Sequence, residues 1–153
     1  MAVEDHTDEG QRGRRRLDGM ASFCGFRWEA PERIRMEVQE QHLNLTGLLS
    51  GAVTYAIVDY CMGSTLWAET TEDEHIATVS ISINSVETAA VGQTIVCTTA
   101  LDRRNDRVAV LRGEVRVREP GDEDGTATGR LVATAVGSYS IFPPRGRTSR
   151  TRR

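Results

Sequence analysis

Residues 41–68 carry one formal charge, Asp59, in 28 positions, with His42 counted as neutral. Within this run Val53, Ala56, Ile57, Tyr60 and Cys61 recur at helical spacing, and the opposite stripe of Ala52, Tyr55, Met62 and Gly63 is also apolar or amphipathic. A helix that is apolar nearly all round has no polar face to offer water and is buried. Thr54, Asp59, Ser64 and Thr65 interrupt the run, so no unbroken apolar stretch reaches the roughly 18 residues of a membrane span. The pattern predicts one central helix from Ser50 to Leu66, with Ser50 as N-cap and Gly51 giving a slim first turn.

Everything around that helix reads as strand. Phe26, Trp28 and Ala30, then Ile34, Met36 and Val38, alternate with polar or glycine positions on either side of a turn at Pro31. Ala77, Val79, Ile81 and Ile83 alternate with Thr78, Ser80, Ser82 and Asn84, which predicts a strand over 75–86. Strands over 94–102 and 107–118 are joined by Arg103-Arg104-Asn105-Asp106, and the second puts Ala109, Leu111, Gly113, Val115 and Val117 on one face. An acidic turn follows, then a last strand over 130–142 with Leu131, Ala133, Ala135, Tyr139 and Ile141 on one face, ended by Pro143-Pro144. Short links mean antiparallel pairing. The expected class is α+β: one curled antiparallel sheet wrapped around one long central helix.

Charge is distributed unevenly along the 153 residues. The net charge is −3, but residues 17–143 alone hold 18 acids and 10 arginines, whereas 144–153 hold five arginines and no acid. An acidic body argues against wrapping nucleic acid. Residues 1–16 and 144–153 read as a disordered charged leader and a disordered arginine-rich tail flanking one domain over 17–143. All 19 basic residues are arginine, which excludes a lysine Schiff base or P-loop lysine. Cys24, Cys61 and Cys97 are widely spaced and form no CxxC pair, which suits free thiols in a reducing cytoplasm. His6, His42 and His75 have no metal-ligand spacing, so neither a metal nor another cofactor is expected; His42 and His75 read as structural or solvent-facing. No apolar signal segment is seen at the N-terminus.

A lone carboxylate in an apolar helix must be paired, protonated or placed at a cleft. Asp59 therefore reads either as a locally bonded structural group or as a general base or nucleophile at an apolar cleft. The stretch His42-Leu43-Asn44-Leu45-Thr46-Gly47-Leu48-Leu49-Ser50-Gly51-Ala52, running on to Val58-Asp59, resembles the core motif of hot-dog fold thioesterases, in particular the phenylacetate-degradation (PaaI-type) branch. That motif reads HxNxxGxxHGG with an aspartate nine residues after the second histidine. Asn44, Gly47, Gly51 and Asp59 match it in type and spacing, while Ser50 replaces the second histidine and Ala52 the second glycine. The similarity extends over residues 23–142.

The resemblance implies an acyl-CoA thioesterase hydrolysing a small, medium-chain or aryl acyl-CoA, built as a homodimer or tetramer with the site at the subunit seam. The Gly51 N–H at the helix start would hold the thioester oxygen. Asn44 would orient thioester or water, Asp59 of the opposing subunit would activate water or attack directly, and Thr78 would place the water or the aspartate. Ser50 keeps a helix cap and a hydrogen-bonding hydroxyl. Leu48, Leu49, Tyr55 and Met62 would line the acyl pocket, and Arg103, Arg104 and Arg107 are candidates for the CoA phosphates. Two alternatives remain: a non-catalytic acyl-CoA-binding or regulatory protein, and a thioesterase acting on an acyl carrier protein.

Overall fold

A computed structural model describes residues 18–143. The expectations for the leader and the tail fall outside these residues. The order of elements is α1 (Gly19–Cys24), β1 (Arg27–Ala30), β2 (Arg33–Glu37), a 3-10 turn (Glu40–His42), α2 (Gly51–Trp67), β3 (His75–Ser85), β4 (Thr94–Arg104), β5 (Val108–Val117) and β6 (Leu131–Phe142). The six strands form one antiparallel sheet in the order β1-β2-β4-β5-β6-β3. The expected class holds, and α2 is the central helix.

The start of α2 follows the capping rule. Ser50 is extended (φ −62°, ψ 132°), its Oγ accepts from the Ala52 N–H at 3.2 Å, and its carbonyl accepts from Val53 and Thr54. Ile57, Val58, Cys61, Met62 and Leu66 are wholly buried under the sheet. Each large side chain among them contributes about 1.5–3 kcal/mol by leaving water.

Burial all round is corrected, however. Gly51, Tyr55, Asp59, Gly63 and Trp67 form one row at a spacing of four residues and are exposed or half-exposed. Beside this row Ala52 is exposed and Tyr60 half-exposed, and the other residues of the helix are buried.

Strand β3 departs from its predicted alternation for a definable reason. The pairing register of β3 with β6 slips by one residue between Thr78 and Ser80, so Val79 is an extra, bulged residue and is 66% exposed. A bulge of one residue flips the parity of a strand. Val79 does not share a face with Ile81 and Ile83; Ile76 and Thr78 do. That flip aims the Thr78 hydroxyl at α2.

The short helix α1 carries no periodic signal in the sequence. Asp18 caps it through the Ala21 N–H at 2.9 Å, and Ala21 and Cys24 anchor it in the core. His42 is buried and structural: its Nδ1 accepts from the Gln39 N–H at 3.0 Å, so Nε2 donates to the Phe23 carbonyl at 3.1 Å. This ties α1 to the loop that leads into α2.

Met62 is fully buried and lines none of the described clefts, which corrects its expected place in an acyl pocket. It packs on two glycines and fills the space left by one of them, Gly137. A Cβ at Gly137 would stand 2.6 Å from Met62 Sδ, and one at Gly113 would stand 3.5 Å from its Cε. Met62→Ala is therefore expected to lower stability by about 2–5 kcal/mol, the usual range for emptying such a site. Denaturant unfolding of the purified variant measures this.

Candidate functional site

The loop that delivers the chain to α2 is built on Asn44. Its carboxamide oxygen accepts from the Thr46 N–H at 2.9 Å, the Thr46 hydroxyl at 2.7 Å and the Leu48 N–H at 3.1 Å. Gly47 takes the left-handed φ of 78° that closes the turn. The oxygen of Asn44 is thus spent on the loop, and its NH2 is the part left to face a ligand. Asn44, Leu48, Leu49, Gly51 and Thr54 line a cleft of about 340 Å³ against Val86, Thr88 and Val132. The Ser50 N–H is bonded to the His42 carbonyl and the Ala52 N–H to Ser50, but no acceptor among the described residues takes the Gly51 N–H. A Cβ at Gly51 would meet nothing within 4 Å. Packing inside the chain therefore does not require glycine there.

Asp59 lies two turns further along α2, half-buried in a larger cleft of about 730 Å³. Trp28, Tyr60, Gly63, Trp67 and Ile76 form its walls, with Asp18 at one side. Oδ1 of Asp59 accepts from the Thr78 hydroxyl at 2.7 Å and from the Tyr139 hydroxyl at 2.8 Å. No salt bridge reaches Asp59 among the described residues. Burial, then the bond to Asp59, pushes the Tyr139 phenol far above its usual range, so it stays a donor. Tyr60 donates to both oxygens of Asp18, at 2.8 and 2.7 Å; burial and then this bond push its phenol up to about 12.

The expected site residues thus fall into two groups. Asn44, Ser50, Gly51, Leu48 and Leu49 gather at the helix start, while Asp59 and Thr78 meet in the second cleft. Tyr55, 40% exposed, stands on the open row between them. A rise of ~1.5 Å per residue puts Gly51 and Asp59 about 12 Å apart along the axis. The arginines are also divided. Arg104 is bound to Glu74 at 2.6 Å and to the Glu69 carbonyl at 2.6 Å, beyond the C-terminal end of α2. It serves the fold, whereas Arg103 and Arg107 stay exposed on the hairpin.

Sequence reasoning missed Tyr139, which it placed simply on the inner face of β6. Its hydroxyl on an otherwise apolar stripe was the available signal. Thr78 is its cross-strand partner, a pairing that depends on the bulge.

Comparison with known proteins shows the family. The sequence model of the thioesterase superfamily matches residues 46–123, a span that contains Gly51, Asp59 and Thr78. A search of curated proteins gave no significant match. Among solved structures, AziG from S. sahachiroi superposes with a TM-score of 0.72 at 22% identity, over 84% of this chain and 99% of that one. A Bacillus halodurans protein crystallised with CoA gives 0.71 at 18% identity, over 88% and 82%. A mutant of the phenylacetic acid degradation protein PaaI from Thermus thermophilus gives 0.66 at 20%, over 80% and 98%. At these identities the likeness is one of fold. The family match and the six strands wrapped around α2 together mean that the chain belongs to the thioesterase superfamily and has its hot-dog fold.

Proposed function

We propose that this protein hydrolyses an acyl-CoA thioester to the free acid and CoA, with Asp59 as general base or nucleophile and the Gly51 N–H as oxyanion donor. One observation carries the reading: the only formal charge of residues 41–68 stands in a cleft, braced by two hydroxyls and balanced by no cation among the described residues. A carboxylate held in this way is equipped to take a proton from water or to attack a carbonyl.

The gap of about 12 Å along α2 between Gly51 and Asp59 supports a site shared by two chains. Reacting atoms must come within roughly 3–3.5 Å of each other. A partner that laid its own open row against this one would bring its Asp59 to this Gly51. The uncovered Tyr55 and Trp67 of that row suit such a contact, and the reading is of a homodimer, with tetramers open to it. At the helix start the thioester oxygen would take the free N–H and the positive end of the helix dipole. The Asn44 NH2 would turn toward the thioester or the water, and Leu48 and Leu49 would flank it. CoA is substrate here, and Arg103 and Arg107 are the arginines left for its phosphates. The buried, unbridged thiols of Cys24, Cys61 and Cys97 suit a cytoplasmic setting.

The test is thiol release from a panel of short, medium-chain and aryl CoA esters, and from the same acyl groups on a carrier protein. Turnover of at least one ester is expected. Ser50, standing where the family motif has histidine, favours a second reading as an acyl-CoA-binding or regulatory protein. Saturable binding of these esters with no thiol release would establish that reading instead.

A further inference from the structure

Tyr139 lies on β6, and the register pairs it directly with Thr78 on β3. The two side chains converge on a single atom, Oδ1 of Asp59, at 2.8 and 2.7 Å. The phenol also reaches the Asp59 backbone carbonyl at 3.1 Å. No donor among the described residues is bonded to Oδ2. Two fixed donors on one oxygen do more than hold a charge. They set the plane of the carboxyl group and leave the second oxygen, with its lone pairs, as the one that meets water or the thioester carbon.

We infer that Tyr139 is a positioning residue: together with Thr78 it pins Oδ1 of Asp59 and assigns Oδ2 as the reacting oxygen. This rests on the thioesterase reading. The geometry suits the role. Tyr139 is 2% exposed and among the largest fully enclosed side chains, so its ring is locked by packing. It is built on the strand next to β3, so both donors are carried by one rigid ladder. The bulge at Val79 is what turns Thr78 to the same side. The groups that face Asp59 are Thr78 from β3, Tyr139 from β6 and Tyr60 from α2, with Asp18 across the cleft; none of them is cationic.

Tyr139→Phe removes the hydroxyl and keeps the ring. With the ester that the wild type turns over best, kcat is expected to fall about tenfold, the effect of one hydrogen bond to a charged group, while KM stays within about twofold. The melting temperature should barely move. A hydroxyl that serves only the fold would give the reverse: a lowered melting temperature and an unchanged kcat. Crystal structures of wild type and variant supply a readout independent of turnover. The wild type should show one Asp59 rotamer with Oδ1 on both hydroxyls, and the variant a carboxyl group rotated away from that plane. If no ester is turned over by the wild type, the thioesterase reading fails and the crystal structures alone decide the positioning role. An unchanged kcat in an active enzyme, or an unchanged Asp59 rotamer in the variant, overturns it.

Discussion

Asp59→Asn is expected to abolish most turnover, by roughly 100- to 10,000-fold in kcat, the range over which a positioned acid or base contributes. The fold should survive the change. Asparagine has the same shape, and its carbonyl oxygen can still accept from Thr78 and Tyr139 where Oδ1 does now. Removing the negative charge is therefore close to a purely chemical deletion, since no cation among the described residues is left unpaired by it. KM should change little, because the role proposed for the lost group is on the reacting atoms and the remaining cleft is intact. Thiol release measured on the wild type and the variant at equal concentration checks the first point, and a thermal melt checks the second. Equal turnover in the two proteins would remove Asp59 from the chemistry and leave its two hydroxyl bonds as structural.

Much of this arrangement was legible in the sequence, and the reason differs from part to part. The helix was legible because a run of 28 residues with a single charge has few ways to avoid water, and because Ser50 caps it in the ordinary manner. The inner faces of β5 and β6 were legible because alternation survives where a strand is paired on both sides. Strand β3 was legible as a strand but not in its facing. It lies at the sheet edge, and the bulge at Val79 changes which side chains point inward without leaving a mark in the hydrophobic pattern. Thr78 was found by resemblance and Tyr139 was not found, because cross-strand pairing is a property of register and not of local sequence. Met62 was misplaced because a helix apolar on two sides does not announce which side the sheet covers. Gly137 gives it room on the sheet side, where a Cβ would clash with its sulfur.

Gly51→Pro is the complementary deletion. Gly51 is the first residue of α2, where proline is favoured, and Ser50 already has the extended backbone that a following proline demands. The Gly51 N–H donates to no acceptor among the described residues, so the fold loses no hydrogen bond when it goes. What is lost is the donor proposed to hold the thioester oxygen, and kcat is expected to fall about 100- to 1,000-fold with the melting temperature nearly unchanged. The two variants together test the shared site. A dimer of one Asp59→Asn chain and one Gly51→Pro chain has one seam that lacks both groups and one seam that lacks neither. Unfolding and refolding an equal mixture makes about half of the dimers mixed, so activity should return to roughly a quarter of the wild-type value, although each variant alone is nearly inert. If Gly51 and Asp59 of the same chain served one substrate, every site in the mixture would carry a defect and the activity would stay at the level of the single variants. The helix geometry favours the first result: about 12 Å of α2 separate the two groups in one chain, and a thioester carbon can touch both only if a second chain supplies one of them.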